Sequence, residues 1–247
     1  MPALLLIAHG SRDPRHAATV AALVEEVRAQ RPAVEVATAY LDHCAPRIPQ
    51  VLGQLTDAVA VPLLLNRAFH AKHDIPAALR AAGSRLPVAD VLGPSPLLLA
   101  ALDRRLAEAG LDVSSPAVRA RTGVVLAAAG SSDPAADAAT RAVAAEWRRT
   151  RGWAAVEVAY ASAAGPRVPD ALAALRAAGA GRTAVSPYLL APGLLPDRIA
   201  AASDGADLVA GVLGAAPELA ALLLRRHAEA RRTEARRTRR PARALSA

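Results

Sequence analysis

Several residue types that usually mark a function are nearly missing from this chain of 247 residues. Cys44 is the single cysteine, which excludes an internal disulfide framework, a four-cysteine zinc site and a cysteine-held iron–sulfur cluster. A metal ion would have to be held mainly by His, Asp or Glu. Aromatic residues make up 2% of the chain, too few for the stacking platforms that bind single-stranded nucleic acid.

Signals for membrane insertion and export are also lacking. No uncharged apolar run reaches the roughly 18 residues that a transmembrane helix needs, so we expect no membrane association. Residues 1–9 have no basic segment and only a short apolar run before a polar turn. We therefore predict no signal peptide and a cytoplasmic protein.

The positive charge of the chain is concentrated at its end. The formal net charge is +8, yet residues 225–243 hold nine Arg and two Glu, which leaves about +1 for the rest. Lys72 is the lone lysine. Such a tail can bind nucleic acid without specificity. The nearly neutral body, poor in aromatics, offers no specific reading surface, so we expect no specific nucleic-acid partner.

The chain repeats itself at an interval of about 120 residues, which indicates duplicated domains. We predict a first lobe at 1–115, a second lobe at 120–224, and a basic extension at 225–247, with a linker within 110–121. The matching segments are 8–14 with 128–134, 34–40 with 156–160, 46–49 with 166–169, and 91–93 with 212–214.

Each copy alternates short apolar runs with longer amphipathic stretches. In the first copy the apolar runs are 3–8, 34–39, 58–65 and 88–92. Continuous apolar runs are typical of parallel strands buried on both faces. The sequence therefore predicts an α/β fold with a four-stranded parallel sheet and flanking helices in each copy. Asp13 and Asp133, each followed by Pro, are predicted helix N-caps.

Ligands of such sheets bind beyond the carboxyl ends of the strands. Two segments of the first copy lie there, 9–12 after the first strand and 66–76 after the third. If these strands are neighbours, His9 comes close to His70 or His73. The second copy has Ala129 in place of His9 and no histidine in 191–199. The fold itself therefore does not require these histidines.

The remaining histidines have simpler interpretations. His16 and His43 are interpreted as surface or capping residues, and His227 as a solvated residue of the basic tail. The run Asp42-His43-Cys44 could bind a metal, but one short cluster has little specificity. His73, three residues after His70, is either another metal ligand or an exposed residue at a helix start.

The order of these motifs resembles the sirohydrochlorin chelatases of the CbiX/SirB type. The resemblance rests on His9-Gly10-Ser11 after the first strand and on the apolar strand 61–65 with its Pro. It rests also on His70 four residues before Asp74-Ile75-Pro76. Together with the duplication it extends to about Leu224, as in the longer form of the family.

This resemblance implies a chelatase-like fold of two Rossmann-like lobes facing a cleft. It implies ATP-independent insertion of Co²⁺ or Fe²⁺ into sirohydrochlorin, a polycarboxylate tetrapyrrole, on the way to cobalamin or sirohaem. The metal is then a substrate, and no permanent cofactor is expected. In the family the metal-site residues correspond to His9 and His70, which would also be catalytic, while His73 stays a candidate. No second site is expected.

The chemistry of insertion agrees with these residues. Neutral imidazole binds both ions, and its ordinary pKa of about 6.5 lets it accept a pyrrole proton near neutral pH. A polycarboxylate favours Arg and Lys in the cleft. Each of these side chains can equally be a solvated surface group. The substrate-binding candidates are Ser11, Arg12, Arg47, Arg67 and Lys72.

Two other functions compete with insertion. A non-enzymatic carrier of divalent metal could use the same histidines, and equilibrium binding of a tetrapyrrole would separate the two, since a carrier needs none. A nucleic-acid binder would use the Arg-rich tail alone. The sequence does not discriminate Co²⁺ from Fe²⁺, and it allows a monomer or a homodimer.

Overall fold

Two parallel β-sheets, one from each copy of the repeat, form the frame of the molecule. The computed structural model describes residues 2–55, 57–66, 74–162 and 165–239. In chain order these residues form β1 (Ala3–Ala8), α1 (Pro14–Gln30), β2 (Val36–Tyr40), α2 (Ile48–Leu52), β3 (Ala58–Pro62), α3 (Ile75–Ala81), α4 (Pro96–Glu108), α5 (Pro116–Arg119), β4 (Thr122–Ala128), α6 (Pro134–Arg151), β5 (Ala155–Tyr160), α7 (Val168–Ala177), β6 (Arg182–Pro187), α8 (Leu194–Ala201), β7 (Leu208–Val209) and α9 (Pro217–Arg239).

The first strand of each copy lies at the centre of its sheet. The strand orders are β2-β1-β3 and β5-β4-β6-β7, with all pairs parallel. Every residue of β1 and β4 is buried, as expected for strands covered on both faces. The prediction of an α/β fold with two parallel sheets is confirmed. The predicted neighbours β1 and β3 pair directly, so the segments that follow them share one edge.

The prediction of four strands in each sheet is wrong for the first copy. Its fourth segment makes a single bridge, Ala60 with Val88, instead of a strand. In the second copy the N–H of Asp207 donates to the carbonyl of Thr183 at 3.0 Å. The matching residue of the first copy is Leu86, whose N–H donates instead to the hydroxyl oxygen of Ser84 at 3.2 Å. The ladder there loses a hydrogen bond and stays too short to count as a strand.

Both copies start their first helix with the same local chemistry. The carboxylate of Asp13 accepts the N–H of Arg15 at 2.9 Å, and that of Asp133 accepts the N–H of Ala135 at 2.9 Å. Each satisfies one of the unpaired N–H groups at a helix start. The predicted N-caps are confirmed, and they fix how the chain leaves the carboxyl end of β1 and of β4.

Three apolar clusters order the elements into layers. One cluster covers the outer face of the first sheet with α2 and α3, and another covers the outer face of the second sheet with α7 and α8. The largest cluster contains the inner faces of both sheets together with α1, α4, α6 and α9. The four inner helices therefore join the two copies through one shared core.

The last helix of each copy packs in the other copy. α9 contacts α1 and β3 of the first copy, and α4 contacts β6 of the second. The guanidinium of Arg105 on α4 donates to the carbonyl of Leu213 at 2.6–2.9 Å, and Arg104 binds Glu218 at 2.7 Å. The copies are therefore interlocked through α4 and α9.

The interpretation of His227 as a solvated residue is wrong. Its side chain is 3% exposed, and its Nε2 lies 3.1 Å from the carbonyl oxygen of Pro2. Arg226, beside it, donates to the carbonyl of Leu92 at 3.0 Å. The start of the Arg-rich stretch is thus docked on the first copy, because long Arg side chains can cover apolar surface while their charged ends reach carbonyl groups.

Candidate metal and substrate site

The segment after β1 is a tight turn that places His9 at the carboxyl edge of the first sheet. Its Nδ1 lies 3.1 Å from the carbonyl oxygen of Gly10, so with the proton on Nδ1 the lone pair is on Nε2. Gly10 has φ +92°, and a Cβ there would lie 1.7 Å from the carbonyl oxygen of Asp42. Only glycine allows this close approach of two backbone segments.

The loop at 41–47 forms the second wall around His9. The carboxylate of Asp42 accepts the N–H of His43 at 2.8 Å and the guanidinium of Arg47 at 3.1 Å. These hydrogen bonds hold the pKa of Asp42 below its ordinary value, and the bond from the backbone N–H of His43 has the larger effect. The thiol of Cys44 donates to the carbonyl of Ser11 at 3.1 Å and ties the loop to the turn.

Two histidines that the sequence analysis set aside lie near His9. The ring centroid of His43 is 6.3 Å from that of His9. His16, on the first turn of α1, packs against Tyr40 at a centroid distance of 6.4 Å. Its burial, together with the neighbouring His9, lowers the pKa of His16. Within the described ranges, its buried Nδ1 has no hydrogen-bond partner.

The structure describes only the two ends of the segment 66–76, which contains the predicted histidines. Arg67, His70, Lys72 and His73 lie outside the described residues. The chain approaches this segment through Asn66, whose amide donates to Thr140 of the second copy at 3.1 Å. It leaves through Asp74, at the start of α3. Since β3 pairs with β1, the segment begins and ends in the same copy as His9.

The other substrate-binding candidates differ in their surroundings. Arg12 is exposed. The guanidinium of Arg47 donates to the carbonyl of Leu41 at 2.5 Å as well as to Asp42. The hydroxyl oxygen of Ser11 accepts the N–H of Asp13 at 3.1 Å, a bond that Ser131 repeats with Asp133 in the second copy. Ser11 and Arg47 thus support the loops.

The corresponding place in the second copy has no histidine. Ala129 replaces His9 beside a cavity of about 240 Å³ that is lined mostly by apolar side chains. The Tyr160 hydroxyl donates to Asp137, which is also bound by Arg141. Burial raises the pKa of Tyr188, whose hydroxyl has no partner among the described residues. The two copies share their backbone frame but not their reactive groups.

A cross-copy ion pair near the start of α1 escaped the sequence analysis. The guanidinium of Arg15 binds both carboxylate oxygens of Asp197, on α8, at 2.6 and 3.2 Å. It also binds Asp13, and the two carboxylates raise the pKa of Arg15. No local pattern points to this contact, because its residues are 182 positions apart.

No group of three or more His, Cys, Asp or Glu side chains in the described part of the chain is arranged to hold a metal ion. None of the described helices combines the length and apolar character that crossing a membrane demands.

The fold and the site define a class: duplicated α/β proteins of the chelatase type, with histidine at one sheet edge. The CbiX family model matches residues 3–109 and 123–230. The chain belongs to the CbiX family. The match falls on both copies of the repeat, as the internal similarity predicts.

Individual relatives agree with this family. The chain is 29% identical over 209 residues to the sirohydrochlorin ferrochelatase of Priestia megaterium, covering 81% of this chain and 77% of that protein. It is 27% identical over 215 residues to the sirohydrochlorin cobaltochelatase of the same organism, covering 81% and 67%.

The fold also matches solved structures. SirB from Bacillus subtilis with Fe³⁺ superimposes with a TM-score of 0.77 at 25% identity, covering 93% of this chain and 96% of that one. SirB from the subspecies spizizenii in complex with cobalt gives 0.72 at 25% identity, covering 93% and 95%. The predicted resemblance to the CbiX/SirB family is confirmed.

Proposed function

We propose that this protein inserts Co²⁺ or Fe²⁺ into sirohydrochlorin, with the metal as a substrate. The observation that carries the proposal is the position of His9. It lies at the carboxyl edge of the first sheet, in a turn that the second copy builds with Ala129 instead. A histidine that the fold does not need, in a family whose named relatives are chelatases, fits a role in metal insertion.

The chemistry requires a metal donor and a proton acceptor at one place. Insertion strips water from the ion and removes two pyrrole protons from the tetrapyrrole. An imidazole can do either, since neutral nitrogen binds both ions and accepts a proton near neutral pH. In this proposal His9 acts through Nε2, because Nδ1 faces the carbonyl of Gly10.

The second metal-site residue in the proposal is His70. This assignment rests on the resemblance to the CbiX/SirB family, because His70 lies four residues before Asp74, as the metal-site histidine of the family does. His73 stays a candidate on its proximity in the sequence. The pairing of β1 with β3 supports a common site, because both segments leave the same edge of the sheet.

Carboxylates of the tetrapyrrole need cations near this edge. We assign this role first to Arg12, which is exposed beside His9, and to Arg67 and Lys72 in the neighbouring segment. Arg47 and Ser11 act on the substrate indirectly in this proposal, because their side chains already support the two loops around His9. Guanidinium groups suit this task because they bind carboxylates through two parallel hydrogen bonds.

The test is anaerobic metallation of sirohydrochlorin, followed by its change in absorbance. The chain is similar both to a sirohydrochlorin ferrochelatase and to a sirohydrochlorin cobaltochelatase, so Co²⁺ and Fe²⁺ are assayed separately. We expect enzyme-dependent insertion of at least one ion without ATP. A protein that binds metal but neither binds nor metallates sirohydrochlorin would be the metal carrier instead. Whether the enzyme is a monomer or a homodimer is measured in the same preparations by sedimentation.

A further inference from the structure

Two carboxylates from different copies share the guanidinium of Arg15. Its Nε and Nη2 donate to Asp13 at 3.1 and 2.6 Å, and its Nη1 and Nη2 donate to Asp197 at 3.2 and 2.6 Å. Each carboxylate therefore makes the two parallel hydrogen bonds that are typical of Arg–carboxylate pairs. Two carboxylates on one guanidinium leave an excess of one negative charge at this place.

The frame of the fold does not require the bond between Arg15 and Asp197. In the repeat, the residue that matches Arg15 is Ala135 and the residue that matches Asp197 is Ala77, each after the same proline as its counterpart. These alanines cannot form an ion pair, yet the two copies build the same elements around them. An exposed ion pair also adds little to stability. The presence of this pair in one place only therefore has to be explained by something other than folding.

The two carboxylates are held with different firmness. Asp13 is the N-cap of α1, where its Oδ1 also accepts the backbone N–H of Arg15 at 2.9 Å, and its side chain is 22% exposed. The side chain of Asp197 is 54% exposed, and within the described ranges its carboxylate has no partner besides Arg15. The guanidinium can therefore lose Asp197 while Asp13 keeps it in position.

The bond to Asp197 lies between the carboxyl edges of the two sheets. α1 follows the turn that holds His9 after β1, and α8, which carries Asp197, follows β6 of the second copy. The two edges also meet at the cavity beside Ala129, which Asn66 of the first copy helps to line. Ligands of parallel sheets bind at such edges. Arg15 is therefore a cation at the edge where the proposed substrate binds.

We propose that Arg15 binds a carboxylate of sirohydrochlorin, and that Asp197 occupies the same end of the guanidinium until the tetrapyrrole arrives. The inference rests on the proposed function and adds a substrate-binding residue to it. The carboxylate of the substrate takes over the two hydrogen bonds of Asp197, while Asp13 positions Arg15. One carboxylate replaces another, so the guanidinium stays fully bound, and the exchange opens this bond between the copies.

The experiment measures equilibrium binding of sirohydrochlorin without metal, by its change in absorbance. The variants are Asp197→Ala, Arg15→Gln and the double variant. Glu218→Ala is the matched control, because Glu218 also lies in the first turn of a second-copy helix and binds an arginine of the first copy, Arg104, at 2.7 Å. The double variant separates the release of Arg15 from the general effect of removing a negative charge, since coupled residues give non-additive changes.

We expect Asp197→Ala to bind sirohydrochlorin about two- to fivefold more tightly, because the exposed ion pair that competes with the substrate is weak. Arg15→Gln should bind about tenfold more weakly, because it loses a charge-assisted pair. In the double variant the gain from Asp197→Ala should vanish, and Glu218→Ala should bind like the wild type. A merely structural role for Asp197 would not produce tighter binding.

Three results would overturn the inference while the proposed function stands. They are an unchanged affinity in Arg15→Gln, a gain from Asp197→Ala that persists in the double variant, and an equal gain in Glu218→Ala. A wild type that does not bind sirohydrochlorin would overturn the inference and the proposed function together. Melting temperatures of all variants show that each binding measurement is made on folded protein.

Discussion

The indole N–H of Trp147 donates to Oδ1 of Asp103 at 2.8 Å, which joins the core of the second copy to a helix of the first. Trp147 is completely buried, and Asp103 also binds Arg151 at 2.9 Å. This bond is one of the points at which the exchanged helix α4 is fixed in the other copy. The interlocking of the copies therefore depends in part on a single carboxylate.

Removal of that carboxylate should lower stability. Asp103→Ala leaves the indole N–H of Trp147 buried without an acceptor, which costs about 1–3 kcal/mol. Asp103→Asn keeps an oxygen for Trp147 and loses the charge opposite Arg151, so we expect a smaller loss. Urea unfolding of the three proteins measures both values. Equal losses for Ala and Asn would show that the Arg151 ion pair, and not the indole bond, is what matters.

The two turn glycines provide a matched pair of variants. A Cβ at Gly10 would lie 1.7 Å from the carbonyl oxygen of Asp42, and one at Gly130 would lie 2.2 Å from that of Ser162. Both glycines have φ near +90°, so we expect Gly10→Ala and Gly130→Ala each to cost at least about 1–3 kcal/mol of stability.

Metallation should distinguish these two glycine variants. Gly10→Ala displaces the loop at 42–44 beside His9, and a shift of about 1 Å can lower a rate about a hundredfold. We expect its metallation rate at a permissive temperature to fall at least about tenfold, whereas Gly130→Ala keeps most of its rate. An equal loss of rate in both variants would contradict a site confined to the first copy.

Stability should fall in weak acid because of His227. Burial lowers its pKa below the ordinary 6.5, so the unfolded chain takes up a proton at a higher pH than the folded chain. The stabilisation is fully present above 6.5 and is lost as the pH falls from there through the lower folded pKa. His16, also with a lowered pKa, contributes in the same direction.

The variant His227→Gln tests this pH dependence. Glutamine retains a donor for the carbonyl of Pro2 but does not titrate. Its free energy of unfolding should therefore fall less steeply than that of the wild type between about pH 7 and pH 5. Identical slopes for the two proteins would show that His227 accepts its proton equally well in the folded and unfolded chain.

The basic end of the chain should divide into a structural and a dispensable part. Ala230 packs against the shared core and His227 is buried, whereas most residues from Arg232 to Arg237 are exposed. A chain that ends after Arg232 should fold and keep its maximal rate at saturating sirohydrochlorin. Its second-order rate should fall modestly, and only at low ionic strength, because salt screens long-range attraction.

A chain that ends after Leu224 is the contrasting truncation. It lacks the hydrogen bonds of Arg226 and His227 to the first copy, and we expect a lower melting temperature. Loss of activity at all salt concentrations in the chain that ends after Arg232 would instead place the exposed basic part in the active structure.

What the sequence could predict was local or repeated. Buried strands follow from continuous apolar runs, and the two Asp-Pro pairs identify the helix starts at Asp13 and Asp133, because a cap needs only neighbouring residues. Comparison of the copies separated Gly10, which the turn needs, from His9, which it does not.

What the sequence could not predict depends on distant contacts. The exchange of α4 and α9 pairs segments more than a hundred residues apart, as in the bond of Arg105 to Leu213. The small apolar residues between the arginines of α9 gave no sign that His227 would be buried. The left-handed backbone of His43, and the distance of 6.3 Å between its ring centroid and that of His9, are likewise properties of the folded loop.

The central claim is that metal insertion depends on His9, and its most direct test is the metallation rate of His9→Ala. The rate is measured anaerobically at saturating sirohydrochlorin with Co²⁺ and with Fe²⁺, beside the melting temperature. The account predicts that the rate falls by about a hundredfold or more, the scale of a lost acid–base group. It predicts an unchanged melting temperature, since the second copy folds with Ala129 at the matching position. A near-normal rate in a folded His9→Ala protein would contradict it.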